Sequence, residues 1–240
     1  MRSYSKPNEI FLLESHRFPG IFVARGLEDC LVTLNKTPGK SIYGEKLILS
    51  FFNNKRLEFR VWNPFRSKLS AAILLGFNSL YFSRGSKILY IGASTGTTIS
   101  HCSDIIGRKG IIYAVEFSYK CILQLLFTCT NRENIIPIFG DARYPHKYQI
   151  IVPIVDSIIT DISQPDQTRI LGLNALYYLK KKGSFLISIK TRNIDSLSTE
   201  EAVFVGEKEK LCKLGLFPTE QISLEPYDRS HALIGGYFNL

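Results

Sequence analysis

The amino-acid sequence predicts an α/β protein, with a mostly parallel sheet covered on both faces by helices and a small β domain ahead of it. Three observations carry that expectation. From residue 62 onward, short and nearly continuous apolar strands alternate with helix-like stretches, the pattern of strands buried on both faces. Residues 1 to about 61 instead offer short strands broken by turn residues, with no helical period. The carboxyl end offers two strands with no helix between them, which suits an antiparallel hairpin closing the sheet.

Taken in order, the early strands are GIFVAR, CLVTLN, KLILSFF and LEFRVW, rich in β-branched and aromatic residues and separated by Gly, Pro and Asn. FNNKR reads as a hairpin turn. NPFRSKLSAAILLGF opens a helix, with Asn63 as its cap and Pro64 at the first helical position. Leu69, Ala72, Ile73 and Phe77 then share one face. The later strands are KILYI, GIIYAV, IIPIF, VDSIITDI and SFLISI, with helices expected near 97–106, 118–130, 167–181 and 197–213. KKKG at 180–183 offers a basic cluster for RNA contact, yet reads first as a helix end, its lysines matching the dipole and Gly183 closing the last turn. TEQISLEPYDRSHALIGGYF supplies the final pair of strands. The expected division is a β domain at 1–61 and a larger domain at 62–240.

Bulk composition narrows the function. Of 240 residues, 45% are hydrophobic and 21% charged, enough for a sizeable core. Thirty Lys and Arg against 21 Asp and Glu give a formal charge of +9, which favours a polyanionic partner such as nucleic acid. Five cysteines, an odd number without C-x-x-C spacing, argue against a disulfide framework or zinc site and for a reducing compartment. The four histidines are scattered, so no metal is expected. IFLL is too short for a signal-peptide core and no apolar stretch approaches membrane-spanning length, so the expectation is a soluble intracellular protein away from membranes.

The stretch ILYIGASTGTTIS, 88–100, is where a strand stops in a glycine-bracketed turn. Gly92 and Gly96 are one residue too close for a phosphate loop, no Lys follows, and G-x-G-x-x-G is absent. A purely structural turn stays open at this point. The next strands add weight to a ligand site. Glu116 ends the second strand, where a carboxylate can accept from ribose hydroxyls. Asp141 follows the third and suits an adenine exocyclic amine, and Asp161 closes SIITD. Three acids at successive strand ends line one crevice. They would repel a pyrophosphate and suit an adenosyl sulfonium, so S-adenosylmethionine fits best and methyl transfer is the expected chemistry.

SIYGEK, VWNPFRSKL, ILYIGASTGTTISHCSDIIG, YAVEFS, DARYPHKY, DISQPDQTRI and LEPYDRSHA occur in this order from about residue 9 to the carboxyl terminus. The chain thereby resembles the fibrillarin family. That resemblance implies a Rossmann-like class I methyltransferase domain with a mostly parallel seven-stranded sheet, preceded by a small antiparallel β domain. It implies the catalytic subunit of a C/D-box guide ribonucleoprotein, methylating ribose 2′-hydroxyls of ribosomal RNA or its precursor at guide-specified sites. It implies a C/D-box guide RNA, a Nop-domain scaffold protein and a kink-turn-binding protein as partners, and a nucleolar location. Cofactor positions implied in the same way are Thr97, Thr98, Glu116, Phe117, Asp141, Ala142, Asp161 and Gln164, beside the glycines Gly92 and Gly96. The Gly/Arg-rich amino-terminal extension of many relatives is not present in this sequence.

A ribose hydroxyl is a poor nucleophile, so its methylation benefits from a positioned base and in-line alignment. SFLISIK delivers Lys190 at a strand end in the same crevice. A lysine serves as base only if its pKa falls from about 10.4 toward 7–8, through burial or a neighbouring cation such as Lys68. Asp161 would orient Lys190, and His231 would complete a Lys-Asp-Lys-His set that the resemblance implies. Each has a bland alternative: Lys68 a solvated helix residue, Asp161 a helix cap, His231 a structural strand histidine. YDRSHA carries Ser230 where relatives place an acid, and KTRNID after Lys190 departs from the common pattern. Other acceptors are an amino group on a base, disfavoured because DISQPD lacks a Pro-Pro-aromatic turn, and a protein glutamine. A non-enzymatic subunit is the remaining alternative.

Overall fold

The computed structural model describes residues 12–26, 28–52, 55–195 and 197–239. Five antiparallel strands make the first sheet: β1 Leu12–Ser15, β2 Ile21–Arg25, β3 Cys30–Leu34, β4 Leu47–Phe52 and β5 Lys55–Val61, in the order β1-β2-β3-β5-β4. Sequence reasoning expects four of these and misses β1. Its LLES is mostly exposed, so no buried period betrays it, and pairing with β2 from Leu12 opposite Arg25 holds it in place. The turn expected at FNNKR falls on residues 53 and 54, outside the described residues; Phe52 lies opposite Lys55 in the flanking pair.

The second sheet has seven strands: β6 Lys87–Ile91, β7 Ile111–Glu116, β8 Ile135–Phe139, β9 Val155–Thr160, β10 Leu179–Lys190, β11 Leu216–Ser223 and β12 His231–Phe238. Their order is β11-β12-β10-β9-β6-β7-β8, parallel from β10 through β8, with β12 antiparallel to both β10 and β11. The chain runs outward from β6 to β8 and then returns to the other side of β6 as β9. That reversal opens a crevice between β6 and β9 at the carboxyl ends of the strands. The architecture is the mostly parallel seven-stranded one, behind a small antiparallel sheet, that the sequence predicts.

Helices cover both faces: α1 Lys68–Leu74, α2 Thr97–Ile106, α3 Tyr119–Cys129, α4 Gln167–Tyr178, α5 Thr191–Ile194 and α6 Glu200–Lys213. The period of two in KILYI sends Ile88 and Tyr90 to one core, with Ile99, Cys102 and Ile105 of α2 and Leu125 of α3. Leu89 and Ile91 go to the other, with Leu171 and Ala175 of α4 and Leu211 of α6. Burying each isoleucine or leucine among them contributes about 1.5–3 kcal/mol.

Two expected helix boundaries are wrong for identifiable reasons. Asn63 and Pro64 lie in a turn, where Asn63 Oδ1 accepts from Phe65 N at 2.8 Å. The helix begins at Lys68, capped by Ser67, whose hydroxyl accepts from Ser70 N. Leu69, Ala72, Ile73 and Phe77 are buried as expected, although Phe77 lies beyond the helix end. The fourth helix ends at Tyr178, and Lys180–Lys182 lie in β10, because Leu179 is taken by Val155 of β9 as a strand partner. Gly183 is not a cap. A Cβ there would meet Leu179 Cδ1 at 2.6 Å and Lys180 O at 2.7 Å, so packing is what requires glycine.

A buried polar network joins the two sheets. Arg60 of β5 reaches Glu45 at 2.6 Å, Asp104 of α2 at 2.8 Å and Ser100 Oγ at 2.8 Å. Arg132 completes it with Asp104 at 2.6 Å. His101 bonds Thr33 through Nδ1 and Tyr43 through Nε2, both at 2.8 Å, and stacks on Trp62. Charges this far from water persist only when paired and hydrogen-bonded, so the network ties α2 to the first sheet.

Candidate cofactor crevice and its lysine–aspartate pair

At the switch point the strand β6 is followed directly by Gly92, with φ of +84°. A Cβ there would lie 2.3 Å from the Asp161 carbonyl oxygen and 2.7 Å from Ile162 Cγ2. Only glycine lets the loop after β6 and the loop after β9 approach this closely. Gly96, φ +91°, starts α2 with no side-chain cap, leaving first-turn N–H groups of Thr97 and Thr98 to other acceptors. Thr98 donates its hydroxyl to Ser67 Oγ at 3.1 Å, linking α2 to α1.

Beside this turn is a cavity of about 350 Å³ whose lining includes Gly92, Ser94, Glu116, Phe117, Asp141, Ala142, Asp161 and Gln164. Glu116 is 7% exposed and fixed by the backbone: Oε2 accepts from Ser94 N at 2.7 Å, Oε1 from Ser118 N at 2.8 Å. Each oxygen keeps a further lone pair. Phe117 is 64% exposed. Asp141 is not a free acceptor. Arg143 grips it with Nε at 3.1 and 3.0 Å and Nη2 at 2.6 Å, and this holds its carboxyl below the usual range. The pair is part-exposed, so it costs little to open. Gln164 closes the cavity from the loop after β9. Buried Gln167, in the orientation that satisfies its amide, donates to Ile162 O at 2.7 Å and Ser188 O at 3.0 Å, fixing that loop.

Sequence reasoning has Asp161 orient Lys190 and hold it together with Lys68; in the structure its Oδ1 holds Lys68 Nζ at 2.5 Å and is not paired with Lys190. Register supplies the reason. Thr160 lies opposite Ile187, so Asp161 is level with Ser188, and Lys190 is two residues, about 6–7 Å, further along. Lys68 instead starts α1 and reaches across the crevice. Asp161 is not a helix cap; that position before α4 belongs to Asp166.

Lys190 and His231 are directly opposed on antiparallel β10 and β12, so their side chains leave the same face. His231 is buried, with Nδ1 2.9 Å from both Arg229 O and Asp228 Oδ1. Burial pushes its imidazole below the ordinary value, Lys68 and Lys190 push the same way, and the Arg229 carbonyl and Asp228 oppose them. Asp228 supplies the carboxylate that the sequence leaves open at Ser230. Also absent from sequence reasoning are Ser94 and Ser118, which anchor Glu116; a serine amide two or three residues past a strand end carries no signal of its own. Among the described residues no group of three or more His, Cys, Asp or Glu is arranged to hold a metal, and no helix is long and apolar enough to cross a membrane.

Comparison with known proteins places this geometry. The fibrillarin family model matches residues 13–240. The rRNA 2′-O-methyltransferase fibrillarin of Drosophila melanogaster is 50% identical over 233 residues, covering 97% of this chain and 68% of that protein. Among solved structures, Aeropyrum pernix fibrillarin in complex with natively bound S-adenosyl-L-methionine is 38% identical, with a TM-score of 0.87 over 95% of this chain and 99% of the other. A fibrillarin/Nop5p complex is 40% identical, with a TM-score of 0.81 over 93% of this chain and 100% of the other.

Proposed function

The chain belongs to the fibrillarin family, and from that premise we propose that it is the catalytic subunit of a C/D-box guide ribonucleoprotein. It is an S-adenosylmethionine-dependent RNA 2′-O-methyltransferase, acting on ribose 2′-hydroxyls of ribosomal RNA at guide-specified sites. The observation that carries the reading is a crevice walled by Glu116, Asp141 and Asp161 that ends at the Lys68–Asp161 pair. A site with three carboxylates and a glycine turn fits an adenosyl sulfonium and opposes a pyrophosphate. Bound there, S-adenosylmethionine supplies an electrophilic methyl group.

The chain's own residues do the rest. Glu116, held by two backbone amides, accepts from the ribose hydroxyls of the donor. The exposed ring of Phe117 and the Asp141–Ala142 segment take the adenine, with Arg143 yielding Asp141 to the amine. Gly92 lets the loops after β6 and β9 come together while Gly96 packs against α3, the uncapped start of α2 at Thr97 and Thr98 would take the donor's carboxylate, and Gln164 closes the site. Lys68 positions Asp161. Lys190, in its amine form, takes the proton of the acceptor 2′-hydroxyl, and His231 positions Lys190 from the opposing strand.

Base selection falls to a paired C/D-box guide RNA, which a Nop-domain scaffold protein and a kink-turn-binding protein organise, in the nucleolus. Reconstitution with guide RNA and scaffold, followed by ribose-methylation mapping, tests this. The expected result is modification at the single guide-specified nucleotide and little without the guide. Sequence-selective methylation by the chain alone, or methyl found only on a base amino group or a glutamine, would refute it.

A further inference from the structure

At the end of the second sheet opposite the crevice, three concavities run into one another. The first, about 850 Å³, is lined by Lys36, Arg84, Arg108 and Lys109 among others. The second, about 740 Å³, shares Lys36 and Arg108 and adds Arg132. The third, about 470 Å³, shares Arg84 and adds Lys180 and Lys182. Topology gathers these residues from far apart in sequence: the turn after β3, the approach to β6, the loop from α2 to β7 and the start of β10. The shared residues make one continuous basic strip along the amino-terminal ends of the strands.

The acids along the strip are few, and most are spent. Asp104 is bound by Arg60 and Arg132, and Asp156 by Lys180 at 2.6 Å and the Lys87 amide at 2.8 Å; Glu133 faces the second concavity. Burial first, against the attraction of Asp104, then Arg132, Arg108 and Arg84, push the Lys36 ammonium down to about 8. Arg132 is 2% exposed, and although Nη1 is satisfied by Asp104, Ser100 O and Ser103 Oγ, its Nε and Nη2 have no partner. Arg132 thus lines the second concavity with its guanidinium already paired to Asp104, and what it adds there is positive potential rather than a contact.

We propose that this strip is a second RNA-binding surface, holding the phosphate backbone of duplex RNA at the end of the sheet away from methyl transfer. The choice of RNA as the polyanion rests on the function proposed above. A strip longer than any one concavity suits a polymer with a charge at every unit, and guanidinium forks match phosphate oxygens. The five residues of β6 alone separate it from the crevice by about 16 Å, so it contacts RNA well away from the reacting ribose.

The test is fluorescence anisotropy of the full chain with a 20-base-pair RNA duplex lacking C/D motifs, between about 50 and 200 mM salt. The variant is Arg84→Gln, Arg108→Gln and Lys109→Gln together; all three side chains are exposed. Affinity should fall about tenfold or more, and the log–log salt slope should lose about 0.7–0.9 for each contact removed. S-adenosylmethionine binding, read by calorimetry, should not change. Should the triple variant misfold, Arg108→Gln alone should shift the slope in the same direction. Unchanged affinity and slope would overturn the proposal. Loss of polyglutamate binding with RNA binding intact would overturn it too, in favour of an acidic protein partner. A chain that fails to methylate ribose would sink the proposed function and leave the anisotropy result standing.

Discussion

Gly92→Ala perturbs the crevice at its narrowest point. The substitution carries two penalties that can be measured apart. A Cβ at φ of +84° costs about 1–2 kcal/mol from the backbone alone. The new methyl group would also lie 2.3 Å from Asp161 O, about an ångström inside ordinary contact, with Ile162 Cγ2 at 2.7 Å. Backbone on the far side must therefore move, and overpacking of this kind costs about 1–3 kcal/mol more. The total is about 2–5 kcal/mol, or a fall in Tm of roughly 4–20 °C for a chain of this size. Gly44→Ala is the control. Gly44 has φ of +82° and nothing within 4 Å of a Cβ, so it carries the backbone penalty without the clash. Thermal unfolding of both variants isolates the difference. Because the displaced carbonyl belongs to Asp161, Gly92→Ala should also weaken S-adenosylmethionine binding at least about tenfold, or 1.4 kcal/mol, and Gly44→Ala should not. Equal Tm shifts with unchanged cofactor affinity would refute the close approach of the two loops.

Arg60→Ala leaves Glu45 and Asp104 short of a partner in a dry interior, so urea unfolding should show a loss of about 3–5 kcal/mol. His101 is fully buried, and burial first, then Arg60 and Arg132, hold its imidazole well below 6.5. The unfolded chain binds that proton below pH 6.5 and the folded chain does not, so its contribution is intact above 6.5 and is lost as pH falls. The slope should approach about 1.4 kcal/mol per pH unit, and His101→Gln should remove that portion of a pH–stability curve. Lys190→Ala should lower single-turnover methylation of guide-paired RNA by about 10²–10⁴ with cofactor binding retained; unchanged turnover would remove it from the mechanism.

What the sequence displays depends on how local the cause is. The helices at Thr97–Ile106 and Tyr119–Cys129, and the strand ending in Glu116, are legible because apolar period and glycine turn lie within a dozen residues. The crevice follows from them, since acids at the ends of parallel strands share one end of the sheet. The start of α1 was hidden because Asn63–Pro64 and Ser67 both satisfy capping rules, and only packing decides between them. Lys180–Lys182 resemble a dipole-matched helix end, yet pairing of Leu179 with Val155 outweighs a few tenths of a kcal/mol of dipole energy. The gift of Asp161 to Lys68 spans 93 residues and that of Arg60 to Asp104 spans 44, so no local pattern reveals either. A buried arginine looks, in sequence, like any surface one.

The central claim is that backbone-anchored Glu116 and the acids beside it make this crevice a site for a cationic adenosyl donor. Titration calorimetry of S-adenosylmethionine into the chain and into Glu116→Gln tests it most directly. The account predicts one site per chain, weakened by about 10–100-fold in the variant as a charged acceptor is lost, with the fold intact. Absence of binding heat in the unaltered chain, or equal affinity in both, would contradict it.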